Sequence, residues 1–137
     1  MKKLFGTDGI RGIANIFPMT PEVVLNSGKA TAHVFREKYG KQRPKLVIGR
    51  DTRLSGCMIE NALTSGILSA GADVFLVGHM PTPAIAHVTK SLHVDAGMVI
   101  SASHNPAADN GIKIFRGDGY KLSDDVEEEI EKYILTE

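Results

Sequence analysis

Short, nearly all-apolar runs alternate along this chain with longer stretches in which apolar residues recur every three or four positions. Strand-like and helix-like periods in alternation predict an α/β fold: a three-layer α/β/α sandwich with a mixed, mostly parallel sheet of about four strands. The first helix has Thr20 as N-cap, Pro21 at its first position, Val24, Gly28, Thr31 and Phe35 on one face, and Gly40 at its end. Lys45-Leu46-Val47-Ile48 then reads as a strand buried on both faces, opening into Gly49-Arg50-Asp51-Thr52-Arg53. Ser55 is placed to cap a second helix that packs through Ile59, Leu63, Gly66, Ile67 and Ala70, with Gly71 where a left-handed C-cap is wanted.

A second buried strand is expected at Val74-Phe75-Leu76-Val77, and Thr82-Pro83 opens a helix with Ile85, Val88 and Leu92 as its stripe. Gly97-Met98-Val99-Ile100 is the third strand, followed by the small and turn-forming residues of 101–111. Gly111-Ile112-Lys113-Ile114-Phe115 alternates, which predicts a returning antiparallel strand with Ile112 and Ile114 on one face and Lys113 and Phe115 on the other. The last helix starts at the Ser123 cap, with Asp124 and Asp125 at its positive end, and buries Val126, Ile130, Tyr133 and Ile134.

Composition narrows the class. At 137 residues with 42% apolar and 23% charged side chains, the chain is one globular domain able to close a core without disulfide or structural metal. Cys57 has no partner for a bridge and is read as a buried, inert thiol. Sixteen basic and 16 acidic residues cancel, which argues against a general nucleic-acid or membrane-surface binder. Their distribution is lopsided: residues 1–60 hold 11 basic and 5 acidic side chains, residues 61–137 hold 5 and 11. Much of the acidic excess lies between Asp124 and Glu131 and is read as one solvated helix face. The start, Met1-Lys2-Lys3-Leu4-Phe5-Gly6, has no apolar leader and no run approaches membrane-spanning length, so a cytoplasmic location is expected.

Two phosphate motifs are excluded. Gly6-Thr7-Asp8-Gly9-Ile10-Arg11-Gly12 has the wrong glycine spacing for a dinucleotide fingerprint, and Gly28-Lys29 lacks the P-loop's first glycine, the position being Val23. The five histidines show no metal-ligand spacing. The loops after the strands, by contrast, should gather on one rim, where open α/β sheets place their sites. There Ser103-His104-Asn105-Pro106 presents a hydroxyl at the mouth of a buried strand, although without a G-x-S-x-G elbow or a hydrolase triad. A polar turn stitched by local hydrogen bonds is the plain alternative. Arg11, Arg50, Arg53 and Lys113 could supply the same rim with the fixed positive charge that phosphoryl transfer needs, unless they are solvated surface charges.

Four blocks carry a resemblance that covers the whole chain: Phe5-Gly6-Thr7-Asp8-Gly9-Ile10-Arg11-Gly12; Gly49-Arg50-Asp51-Thr52-Arg53-Leu54-Ser55-Gly56; Pro81-Thr82-Pro83; and Ile100-Ser101-Ala102-Ser103-His104-Asn105-Pro106 with Asp109-Asn110-Gly111-Ile112-Lys113. In these the chain resembles the first domain of the α-D-phosphohexomutases. Thr7-Asp8-Gly9 and Ser101-Ala102-Ser103 favour the branch acting on glucosamine phosphates over those acting on mannose or glucose phosphates. The resemblance implies that Ser103 is a phosphoserine that donates its phosphoryl group to a hexosamine phosphate and retrieves one from a bisphosphate intermediate. Glucosamine 6-phosphate and glucosamine 1-phosphate would thereby interconvert, in the service of cell-wall precursor synthesis.

It further implies proton-transfer or charge-stabilising roles for Arg11 and Lys113, support of the serine loop by His104, and phosphate or substrate binding by Thr7, Asp8, Arg50, Asn105 and Asn110. A Mg²⁺ bound through the phosphate of Ser103 would take its other ligands from a later domain. Those later domains of the family are absent from residues 1–137, so the isolated chain is expected to have negligible mutase activity and to self-associate, a homodimer included. The competing reading is a non-catalytic module that holds phosphorylated ligands through Arg11, Arg50 and Lys113.

Overall fold

The computed structural model describes residues 3–136; Met1 and Lys2, part of the stretch read above as lacking a leader, and Glu137 lie outside it. In chain order the elements are β1 (Ile10–Ile13), α1 (Pro21–Tyr39), β2 (Lys45–Arg50), α2 (Gly56–Ser69), β3 (Asp73–His79), α3 (Thr82–Ser91), β4 (Ala96–Ile100), β5 (Asp109–Arg116) and α4 (Asp124–Thr136). They form one sheet in the order β1-β5-β4-β2-β3. β2 lies parallel to both β3 and β4, and the required crossovers are α2 and α3. β5 returns antiparallel beside β4, as its alternation predicts, and β1 adds a second antiparallel pair. The sheet is therefore mixed, with five strands rather than about four.

The α/β/α sandwich is unequal on its two sides. Leu46, Ile48, Met98, Ile100, Ile112 and Ile114 face α1, α2 and α4 in the main core. Opposite them α3 alone covers Val99 and Phe115, through Ile85. α1 and α2 cross at backbone contact: a Cβ on Gly66 would stand 2.0 Å from the Leu25 carbonyl oxygen, and one on Gly28 2.5 Å from that of Leu63. The Gly28 and Gly66 positions that share helical faces with apolar residues are thus the points of closest packing.

Thr20 caps α1 as expected, its hydroxyl accepting from the Val23 N–H at 3.3 Å, and Gly40 closes the helix with φ 66°. Thr20→Ala should lower the stability of the chain by about 1 kcal/mol, read as a shift of the urea unfolding midpoint with unchanged slope. Ser123 similarly accepts from Val126 N–H at the start of α4.

Several expectations are corrected. Ser55 precedes α2 without a side-chain cap, because its hydroxyl is taken by Asn110. β3 is an edge strand, so its apolar run is not buried on both faces: Phe75 is 45% and Leu76 54% exposed. In α3 the second buried position is Thr89, its hydroxyl donating to the Ile85 carbonyl, while Leu92 lies exposed just beyond the helix. Tyr133 is partly exposed and bonds His33 at 2.7 Å. Cys57 is exposed. The acidic stretch of α4 is not wholly solvated either, since Glu127 and Glu131, one turn apart, are buried beside Ile130 and Ile134. Among the described residues no helix is long and apolar enough to cross a membrane.

Candidate active site

The C-terminal ends of β2, β3 and β4 meet on one rim. Met80 N–H donates to the Arg50 carbonyl and Asp51 N–H to the Ile100 carbonyl, both at 3.0 Å, so the loops after the three strands are tied edge to edge. A cleft of about 580 Å³ opens beside them, lined by Thr52, Leu54, Ser103 and Asn105 among others. A second, of about 260 Å³, is formed by the Gly6–Gly9 turn and Arg11.

Ser103 is exposed and has φ 54°, a left-handed backbone rare for a residue with a Cβ. Its N–H donates to Ser101 Oγ at 3.1 Å, and Arg11 Nη2 donates to its Oγ at 3.2 Å. Arg11 reaches it across a gap in β5. Gly111 is the β5 residue paired with Arg11, and a Cβ there would stand 2.8 Å from Arg11 Cγ and 2.8 Å from the Ile10 carbonyl oxygen. The missing side chain lets the arginine lie over the strand toward the serine. Arg11 Nε is buried and has no hydrogen-bond partner among the described residues.

The other residues expected at the site are placed as follows. Lys113 leaves β5 on the same face as Gly111, with Nζ 3.8 Å from Asp8 Oδ1 and 5.7 Å from the centre of the Phe115 ring. It reaches the Gly6–Gly9 turn. Thr7 and Asp8 are exposed on that turn. His104 is exposed, and its ring has no hydrogen-bond partner among the described residues. Asn105 is exposed and donates to Asp109 Oδ2 at 3.2 Å.

Asn110 is fully buried, donating to Ser55 Oγ at 2.8 Å and accepting from the Gly111 N–H at 2.9 Å. That position ties the serine loop to the start of α2 and leaves no surface for a ligand. Arg50 Nη1 donates to His79 Nε2 at 2.9 Å, and Nε lies 3.3 Å from Glu60 Oε2. Arg50 is thus held between the end of β3 and α2.

Arg53 is the correction of most consequence among the rim cations. Its guanidinium points into the protein, onto Asp51 and the carbonyls of the 103–109 loop, and its side chain is 11% exposed. Of the groups that orient the arginines, Asp51 stands in the sequence only as part of the Gly49–Gly56 block, and Glu60 and His79 are absent from the residues singled out there. The signals for them are Asp51, two residues before Arg53 in that block, and His79, closing an apolar run at a strand end.

The donor set for a metal is sparse. Among the described residues no group of three or more His, Cys, Asp or Glu could hold an ion. Of the rim carboxylates, Asp51 is engaged by Arg53 and Asp109 by Asn105. A cation here fits only as a partner of a phosphate on Ser103, with its remaining ligands from outside residues 3–136.

Residues 2–137 match the family described as phosphoglucomutase/phosphomannomutase, alpha/beta/alpha domain I. The chain is similar to a protein of Geotalea daltonii named phosphoglucosamine mutase, 60% identical over 136 residues, covering 99% of this chain and 30% of that relative. A protein of the same name from Syntrophotalea carbinolica is 62% identical over 134 residues, covering 98% of this chain and 29% of its own. The chain therefore spans about 30% of the length of the curated relatives it matches. Among solved structures, a phosphoglucomutase/phosphomannomutase family protein from Burkholderia thailandensis aligns with a TM-score of 0.81 at 30% identity, covering 97% of this chain and 30% of that one.

Proposed function

The chain belongs to the phosphoglucomutase/phosphomannomutase family, as its α/β/α domain I, and we propose that it is the phosphoserine-bearing domain of an enzyme that interconverts glucosamine 6-phosphate and glucosamine 1-phosphate. The name carried by relatives about 60% identical, phosphoglucosamine mutase, supports the sugar, and their length supports further domains that complete the site. The observation that carries the proposal is the exposed Ser103 Oγ 3.2 Å from Arg11 Nη2, at the C-terminal rim of the sheet.

In the forward half-reaction the phosphoryl group on Ser103 passes to a sugar hydroxyl: a new P–O bond forms to the sugar and the bond to Oγ breaks. The bisphosphate reorients, Oγ attacks its other phosphorus, the bond from that phosphorus to the sugar oxygen breaks, and this oxygen takes up a proton equivalent to the one that the first sugar hydroxyl gave up. Charge spreads over the phosphoryl oxygens in both transfers, and a guanidinium already fixed in place stabilises it without reorganisation. Arg11 is suited to that role through its contact to Oγ. Lys113, beside Asp8, and the free imidazole of His104 are suited to proton transfer or to holding the sugar phosphate. Thr7 and Asn105 add polar groups to the two clefts, and Arg50, held by His79 at the same rim, is proposed to bind a phosphate of the substrate. A Mg²⁺ bound through the serine phosphate would neutralise part of the transferring charge. The proposed setting is the cytoplasm.

Intact-mass analysis of the full-length protein carrying this domain, purified from cells and mapped by peptides, tests the reading. A phosphate on Ser103 is expected. Its absence after incubation with a hexose bisphosphate would favour the non-covalent anion-binding module instead.

A further inference from the structure

We propose that Arg53 is a positioning residue for phosphoryl transfer: it holds Ser103 in its left-handed conformation and turns the amides of the serine loop outward, without touching the phosphate. This rests on Ser103 being the phosphoryl carrier.

A guanidinium has five N–H donors, and each one of Arg53 has an acceptor. Nε donates to Asp51 Oδ2 at 3.0 Å, Nη1 to the carbonyls of Pro106 (2.6 Å) and Asp109 (3.1 Å), and Nη2 to those of Ser103 (2.8 Å) and Asn105 (3.0 Å). Asp51 Oδ1 also accepts from the Arg53 N–H at 3.1 Å, so one carboxylate fixes both the head and the base of the side chain. No donor remains for a ligand.

The loop's other bonds are local or single, among them Asn105 N–H to the Ala102 carbonyl, Asp109 N–H to the Pro106 carbonyl and Ala14 N–H to the Ala108 carbonyl, whereas Arg53 alone joins four of its carbonyls. Residues 103–108 are all exposed, so apolar burial does not shape this loop. The φ of 54° at Ser103 is unfavourable for a residue with a Cβ and persists only where surrounding bonds over-determine it. Arg53 bonds the carbonyl of Ser103 itself and of three later residues.

A trans peptide fixes its N–H opposite its C=O. Drawing the carbonyls of Ser103 and Pro106 onto Arg53 therefore turns the N–H groups of His104 and Ala107 away from it. Neither meets a protein acceptor among the described residues. Outward amides on a small-residue loop are the kind of group that binds phosphate oxygens. The guanidinium thus acts on the reaction through the loop, by aiming these amides and by its charge beneath the loop.

The test uses the full-length protein, with glucose 1,6-bisphosphate as phosphoryl donor and loading of Ser103 followed by intact mass. Arg53→Lys keeps the charge but has three donors and no fork, and cannot gather four carbonyls. Its loading rate and kcat should fall about 100-fold while KM for the sugar phosphate stays within about twofold. Millimolar guanidinium chloride should restore part of the rate of Arg53→Ala, which a loss of folding alone would not allow. Arg53→Lys loading at the wild-type rate, or a loss expressed entirely in KM, overturns the proposal. Failure of the wild-type protein to load Ser103 would instead overturn the underlying reading, so the two are separable.

Discussion

Ser103→Ala in the full-length protein should lower glucosamine 1-phosphate formation by at least about a thousandfold, because a covalent carrier has no substitute within its own site. Ser103→Thr should be nearly as damaging although it keeps the hydroxyl. Ser103 has φ 54°, and a β-branched side chain is strained in that region, so threonine would either swing the backbone out of it or destabilise the loop. Arg11 Nη2 is placed for an oxygen on an unbranched Cβ in this backbone conformation, and the contact would be lost. Turnover in a coupled assay and phosphopeptide mapping check both variants. A threonine variant with full activity would mean that the left-handed geometry is incidental, and an active alanine variant would remove the serine from the chemistry.

Much of this site was legible in the residues because its parts carry local signals. The alternation over Ile112, Lys113, Ile114 and Phe115 set which side of β5 faces the core, and so set Lys113 on the face opposite the main packing. β3 departs from its expected two-sided burial for a physical reason. A run such as Val74-Phe75-Leu76-Val77 reads the same in a central strand as at an edge, and only the strand order decides which it is. β1 was missed because four residues containing a glycine carry too little periodicity, and its pairing partner lies about a hundred residues away. Arg53 looks like a free cation in the sequence, which shows a guanidinium but not the carbonyls that surround it. The acidic run of α4 hid the same difficulty: buried and solvated glutamates look alike until the partner segment is in place.

That partner segment makes Glu131 the position where substitution should cost the fold most. Its carboxylate, 4% exposed, accepts the backbone N–H groups of Lys3 (2.6 Å), Leu4 (2.5 Å) and Phe5 (2.9 Å), gathering the N-terminal segment onto α4 just before the turn that leads to Arg11. Burial pushes the Glu131 pKa up, but the three N–H donors outweigh it and hold the carboxyl below its ordinary 4.5. Glu131→Gln removes the charge and turns one acceptor into a donor facing other donors, which should cost about 3 kcal/mol at neutral pH. The folded carboxyl binds its proton less readily than the unfolded one. Its stabilisation is therefore fully present above the unfolded value and is lost as pH falls through the lower, folded value. In urea unfolding at a series of pH values, the gap between wild type and Glu131→Gln should stay constant above about pH 5 and shrink as acid is added below 4.5. A gap that does not change with pH would show that the carboxylate's charge contributes nothing and that only shape is lost. Since the clamped segment runs directly into the Gly6–Gly9 turn and β1, the same variant should also loosen the contact from Arg11 to Ser103, lowering kcat in the full-length protein under conditions where it remains folded.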